Sequence, residues 1–325
     1  MSENSIEIKD LHKSYGDKEV LKGINFSVGK GKIVAILGPN GAGKTTTIKI
    51  LSTLISADSG EAFVNGHSIY TQAPQVRASI GLTGQFAAVD EYLTGEENLQ
   101  LVGHLYHMKA DKAKEIATRL IEDFDLTEAA KKPVKTYSGG MKRKIDLAMS
   151  LIANPPILFL DEPTTGLDPR SRLAMWETIK KLASRGTTIL LTTQYMDEAD
   201  YLAENIIVID HGQVIAQGTP AELKLQVGSE RLDIIINKQE DFSKALELLS
   251  SNDVESNEDE RSISLPAADG VKQLNTAITA LEEAKIDIET ISLRRPTLDD
   301  VFLTLTGHKA TNEDENVSKK SKGKK

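Results

Sequence analysis

Gly38-Pro39-Asn40-Gly41-Ala42-Gly43-Lys44-Thr45 fills every fixed position of the phosphate-binding pattern G-x-x-x-x-G-K-[ST]. Its glycines let the backbone turn so tightly that successive N–H groups face one concavity, where phosphate oxygens can sit. Lys44 adds a point charge suited to β- and γ-phosphates, and the Thr45 hydroxyl suits a Mg²⁺ ion. The flanks agree. Ile33-Val34-Ala35-Ile36-Leu37 reads as a buried strand. Thr46-Thr47-Ile48-Lys49-Ile50-Leu51 opens a helix, and the N-terminus of a helix favours anions. Thr46, directly after the loop, belongs with the phosphate-binding set.

A phosphate loop serves many chemistries, so other segments must narrow the choice. Ile157-Leu158-Phe159-Leu160 is a short apolar run ending in Asp161-Glu162. It reads as a second buried strand that delivers two carboxylates at its C-terminal end. Asp161 is placed to hold Mg²⁺ through water, and Glu162 to polarise the water that attacks a γ-phosphate. Tyr137-Ser138-Gly139-Gly140-Met141 precedes a helical stripe of Ile145, Ala148, Met149, Leu151 and Ile152. Ser138-Gly139-Gly140 therefore caps a helix N-terminus and makes a second anion site. One nucleotide does not need two such sites on one subunit; two subunits packed head to tail would use both.

Composition bounds the class. The chain has 325 residues, 39% of them apolar, and a net charge of −9, which disfavours nucleic acid as the main partner. It has no cysteine, hence no disulfide or thiolate chemistry. No apolar run approaches the roughly 18 residues a membrane helix needs, and the polar start Met1-Ser2-Glu3-Asn4-Ser5 is unlike a secretory signal. A cytoplasmic location is expected. His104 and His107, spaced to share a helical face, lack accompanying acids or cysteines at ligand spacing, so Mg²⁺ is the only metal expected.

Strand-like alternation over residues 1–30 is followed by the phosphate-loop unit to about residue 82, with a turn signal at Val64-Asn65-Gly66. Residues 94–153 read as a helical subdomain, and 156–210 alternate strand and helix, which indicates a parallel sheet. A first domain over 1–227 then gives way to a second over 228–307. Its order, βαββαβ, predicts a small ferredoxin-like α+β unit, and a capped helix follows Arg294-Arg295-Pro296. Residues 308–325, low in apolar residues and ending in a lysine run, read as a disordered basic tail.

Taken together the motifs resemble those of ATP-binding subunits of ABC transporters. Ser138-Gly139-Gly140 matches that family's signature, with Tyr137 and Met141 in place of the usual Leu and Gln flanks. Asp161-Glu162-Pro163-Thr164-Thr165-Gly166-Leu167-Asp168 matches its Walker B and D-loop run without a gap. Gln85 sits where the Q-loop glutamine does, and Tyr15 where an aromatic stacks on adenine. One position departs: the usual histidine after the next strand is Gln194, whose amide donates a hydrogen bond but carries no charge near neutral pH. Gln194-Tyr195-Met196-Asp197-Glu198-Ala199-Asp200 resembles the drug-resistance exporter branch, similar to daunorubicin-resistance ATP-binding subunits.

The resemblance implies an α/β P-loop NTPase of ABC type, with a mixed sheet core and a helical subdomain. It implies ATP as substrate, held by Tyr15, Gly38, Pro39, Asn40, Gly41, Ala42, Gly43, Lys44, Thr45 and Thr46 of one subunit and by Ser138, Gly139, Gly140 and Asp168 of the other. Glu162 and Gln194 are the implied catalytic pair, and Thr45, Gln85 and Asp161 the implied Mg²⁺ ligands. The implied partners are a second copy of the chain and a separate membrane permease, at the inner face of the cell membrane. Two other readings are a non-transport ABC ATPase and a weakly hydrolysing regulatory module, the latter motivated by Gln194.

Overall fold

The computed structural model describes residues 4–85, 87–226, 230–249 and 254–306. The expected basic tail at 308–325 and the expected domain boundary at residues 227 and 228 lie outside them. By contacts, the chain divides into one unit ending at Pro220 and another beginning at Ala221.

Alternation of apolar residues at its start makes a long antiparallel hairpin, β1 (Asn4–Tyr15) and β2 (Lys18–Gly29). Its inward positions, among them Ile6, Leu11, Leu21 and Ile24, are fully buried. A continuous apolar run instead makes β3 (Ile33–Leu37), buried at every position, as a central parallel strand requires. It runs through the glycine loop into α1 (Lys44–Leu51). That helix starts two residues earlier than Thr46, inside the loop, because Gly43 caps it in a left-handed conformation. β4 (Ser59–Val64) and β5 (His67–Ser68) turn through Asn65 and Gly66, both at positive φ as the Asn-Gly signal demands. Next come α2 (Ala73–Ala78) and β6 (Ile80–Thr83).

Three helices follow: α3 (Gly95–Leu105), α4 (Ala110–Asp123) and α5 (Gly139–Ser150). A reciprocal cap between Thr94 and Glu97 starts α3. His107 lies beyond the end of α3 at positive φ, so His104 and His107 do not share a helical face. On α5, Ile145, Leu147 and Ala148 are buried; Leu151 and Ile152, also buried, fall just past its end.

Strand and helix then alternate: β7 (Ile157–Asp161), α6 (Pro169–Ser184), β8 (Thr188–Thr193), α7 (Met196–Leu202), β9 (Asn205–Asp210), β10 (Gln213–Gly218) and α8 (Pro220–Leu225). One sheet has the order β10-β9-β3-β8-β7-β6, and a second, antiparallel, has the order β2-β1-β4-β5. All neighbours in the larger sheet are parallel except β10 and β9. Helix α1 contacts strands of both sheets, and one apolar core joins Ile48, Ile50 and Leu51 to Ile24, Val64, Phe159 and Leu190. β8 lies between β3 and β7, with Leu37 opposite Thr193 and Asp161 opposite Thr192. The C-terminal ends of these three strands thus share one edge, where open α/β sheets bind ligands.

The second unit contains β11 (Arg231–Ile236), α9 (Gln239–Leu248), β12 (Glu255–Asn257), β13 (Ser262–Pro266), α10 (Val271–Glu283), β14 (Ile288–Arg294) and α11 (Leu298–Thr306). Its sheet order, β12-β13-β11-β14, is antiparallel throughout. This is the ferredoxin-like arrangement that the element order predicts. Leu232, Ile234 and Ile236 alternate into a core completed by Phe242, Ala245, Ile263 and Leu281. Thr297 and Asp300 cap α11 reciprocally.

Candidate active site

Two glycines of the loop, Gly38 and Gly43, have neighbours that leave no room for a side chain. A Cβ on Gly38 would stand 2.1 Å from the Ile209 carbonyl oxygen. One on Gly43 would meet the Leu21 Cδ2 at 2.5 Å, and Gly43 also has a φ of 110°. Lys44 turns its ammonium back into the loop. Its Nζ donates to the carbonyls of Gly38 at 2.8 Å and Pro39 at 3.1 Å, and lies 3.7 Å from the Glu162 Oε1. Burial lowers the Lys44 pKa, while the charges of Glu162 and Asp161 oppose that shift.

The two carboxylates enter from the end of β7. The Asp161 Oδ1 accepts hydrogen bonds from the Thr45 hydroxyl at 3.0 Å and the Thr192 hydroxyl at 2.6 Å. Glu162 lies just past the strand at φ 49°, a conformation uncommon outside glycine. Its N–H donates to both the carbonyl and the hydroxyl of Thr192, and its Oε2 accepts from the Thr165 hydroxyl at 3.2 Å. Sequence reasoning passed over Thr192. Its only signal was a threonine at the end of an apolar strand, and its position between Asp161 and Glu162 depends on the pairing of β8 with β7.

Lys44, Thr45 and Glu162 border a cavity of about 170 Å³. Asn40, Gly41, Gly43, Lys44, Thr45 and Thr46 line it from the loop, Val20 from β2, and Gln85 and Glu162 from the strand ends. The volume falls below the ~300–1,000 Å³ of a site that encloses a whole small ligand, and suits the phosphate end of one. Oxygen donors on Thr45, Asp161 and Gln85 are of the hard type that Mg²⁺ prefers.

Other residues singled out in the sequence do not line this cavity. Tyr15 is half exposed, with the Lys13 ammonium 5.7 Å from its ring centre. Gln194 is half-buried directly after β8. Ser138 caps α5, accepting from the Met141 N–H at 3.3 Å, and Ser138 and Gly139 are exposed. Asp168 caps α6 through the Ser171 N–H at 3.0 Å and the Ser171 hydroxyl at 2.6 Å. These hydrogen bonds hold its carboxyl below the usual range. A Cβ on Gly140 would stand 2.7 Å from the Ser171 Oγ, so the signature and the start of α6 adjoin.

Two buried charged groups were not anticipated from the sequence. Arg143, on α5, reaches the backbone behind the carboxylates. Glu198, on α7, is 1% exposed. Its Oε1 accepts from the Thr164 hydroxyl at 2.7 Å and the Trp176 Nε1 at 3.0 Å, and burial pushes its pKa up. Both sit on helical faces whose burial is decided by neighbours remote in the chain.

A family model described as ABC transporter matches residues 21–165, and one described as ATP-binding protein DrrA1-3-like, C-terminal domain, matches residues 218–306. The chain is 48% identical over 307 residues to a daunorubicin resistance ATP-binding protein of Streptomyces coeruleorubidus, covering 94% of this chain and 97% of that protein. It is 43% identical to a doxorubicin resistance ATP-binding protein of Mycobacterium tuberculosis, covering 93% of each. Identity to a linearmycin resistance ATP-binding protein of Bacillus subtilis is 37%, over 93% of this chain and 98% of that one. Among solved structures, an ATP-binding subunit of an ABC transporter superposes with a TM-score of 0.61 at 30% identity, covering 68% of this chain and 92% of its own. A dimeric ATP-binding cassette bound to ADP and Pi, in a post-hydrolysis state, gives 0.60 at 26% identity, covering 66% of this chain and 98% of its own.

Proposed function

This chain belongs to the ABC transporter ATP-binding subunits and is an ATPase of that type, and on that premise we propose that it drives export of a drug-like or lipid-like compound through a separate membrane permease. The observation that carries the catalytic reading is the convergence of Lys44, Thr45 and Glu162 on one cavity beside Asp161. Resistance to daunorubicin, doxorubicin and linearmycin in the names of its relatives supports the direction and the class of cargo. Among the described residues no helix is long and apolar enough to cross a membrane, which supports a separate permease, met at the inner face of the membrane.

In this reading the loop N–H groups and Lys44 hold the β- and γ-phosphates, and Tyr15 stacks on the base. Thr45, Asp161 and Gln85 would hold Mg²⁺, which when bound neutralises phosphate charge. Glu162 orients the attacking water, and Gln194 donates an amide hydrogen bond toward the γ-phosphate. Ser138, Gly139, Gly140 and Asp168 serve the nucleotide of a second copy, so ATP closes the dimer and hydrolysis releases it. Exposure of Ser138 and Gly139 on the single chain supports that division. The test is ATP turnover and sedimentation with Mg²⁺, wild type beside Glu162→Gln. Removing a general base lowers rates by about 10²–10⁴-fold. The expected outcome is a turning-over wild type and a variant that accumulates as an ATP-bound dimer. No turnover in the wild type, alone or with its permease, would leave only a regulatory module.

A further inference from the structure

We propose that Arg143, seated by Asp146, is a positioning residue that joins the signature helix, the Gln85 loop and the backbone of Glu162 into one moving unit. This deepens the ATPase reading and rests on it.

A guanidinium presents its N–H donors in a rigid planar fork, and burying it is costly unless those donors are satisfied. Arg143 is 7% exposed, and five carbonyls receive its donors. Nη1 donates to Gly84 at 2.6 Å and Gln85 at 3.2 Å. Nη2 donates to Asp161 at 3.2 Å and Glu162 at 2.9 Å. Nε donates to Pro163 at 2.8 Å. The acceptors lie at the end of β7 and on the loops that leave the parallel neighbours β6 and β7. Asp146, 3.7 Å from Arg143 on the same helix, accepts the Ala88 N–H at 2.9 Å. Gln85 and Ala88 are therefore both fastened to α5.

The consequence lies in Glu162. Its positive φ is a strained backbone that persists only where surroundings over-determine it. Thr192 holds its N–H, and Arg143 holds its carbonyl. The same α5 is capped by Ser138 and begins at Gly139, just over one turn before Arg143. A push on either the signature or the Gln85 loop thus moves the carbonyl of Glu162 with it. Lysine would bring a point charge that cannot bridge two loops with a fork.

Full-length Arg143→Lys, Arg143→Gln, Asp146→Ala and Asp146→Asn test this. Binding of a non-hydrolysable ATP analogue gives the active fraction, and kcat and KM for Mg²⁺-ATP are taken per active molecule. A misplacement near 1 Å costs on the order of 10²-fold. The expected result is a kcat lowered by about that factor in both Arg143 variants, with KM and analogue binding close to wild type. Asp146→Ala should lose kcat likewise, and Asp146→Asn, which keeps an acceptor for Ala88, should recover it. Hydrogen exchange of the unliganded protein supplies an arm independent of turnover: Arg143→Gln should quicken exchange around 84–90 and 161–167 together. An unchanged kcat per active molecule, a loss confined to the active fraction, or quickening of one segment alone would overturn the proposal. A wild type without turnover would instead count against the ATPase reading, and the exchange arm would still decide this one.

Discussion

The two anion sites proposed for this chain differ in how far the single subunit has finished them. At the glycine loop, Lys44 and Glu162 are both under a tenth exposed. Asp161 is already bonded to Thr45 and Thr192, and a cavity is open between them. At the signature, Ser138 and Gly139 are exposed, and Asp168 spends its carboxylate on the cap of its own helix. The first site is assembled by burial within one subunit, and its Lys44 ammonium has only to turn from the Gly38 and Pro39 carbonyls toward the cavity when a phosphate arrives. The second is an exposed helix end, and needs a surface from elsewhere to become a site. Closure by a second copy is the arrangement this asymmetry fits.

The strongest way to break the contrast is Gly38→Ala. The added methyl would meet the Ile209 carbonyl oxygen, a backbone atom that cannot rotate away. Overpacking of this kind costs about 1–3 kcal/mol, so we expect a lower melting temperature together with loss of ATP-analogue binding. Retained binding would mean that the loop is not preorganised. A smaller effect is expected from Ser138→Ala, which removes an N-cap worth about 1 kcal/mol. Analogue binding by the isolated subunit should stay unchanged, while turnover and nucleotide-driven sedimentation as a dimer fall. A parallel loss of single-subunit binding would merge the two sites into one.

The finest test concerns Glu198, which ties Thr164 to Trp176 behind both sites. Its pKa is raised above the ordinary value of 4.5 by burial, so the folded state holds its proton more tightly than the unfolded state. Its stabilising contribution is complete below the unfolded value and is lost as pH rises through the folded one. Glu198→Gln keeps an oxygen acceptor and removes that proton. Melting temperature followed from pH 5 to 8 should fall less steeply in the variant than in the wild type. An equal slope would show that Glu198 does not titrate between the two states.

Much of this was legible in local chemistry. Alternation marked β1 and β2, a continuous apolar run marked β3 and β7, and Asn65-Gly66 marked a hairpin turn. The Ser138 cap read equally well, because its hydroxyl acts on an N–H three positions away, whereas the cap that Asp168 makes on α6 was not read. Less legible were groups whose partners are remote. Thr192 meets Asp161 only through strand pairing, Arg143 spans carbonyls about twenty and sixty positions distant, and Glu198 is buried by α6. A lone arginine or glutamate on a helix reads as a solvated face until its neighbours are placed. The start of α1 was misplaced by two residues because a left-handed glycine, Gly43, serves as its cap.

By itself the sequence determined the phosphate loop, the pair of carboxylates, the signature cap and the ferredoxin-like order of the second unit. Each of these rests on short-range stereochemistry, a left-handed glycine, an apolar period or a hydroxyl near an N–H, that residue order carries directly. Only the tertiary structure decided that Lys44 faces Glu162, that Thr192 joins the two carboxylates, and that one buried guanidinium holds the backbone behind them. Those depend on which strand lies beside which, a matter settled by packing the whole apolar core at once.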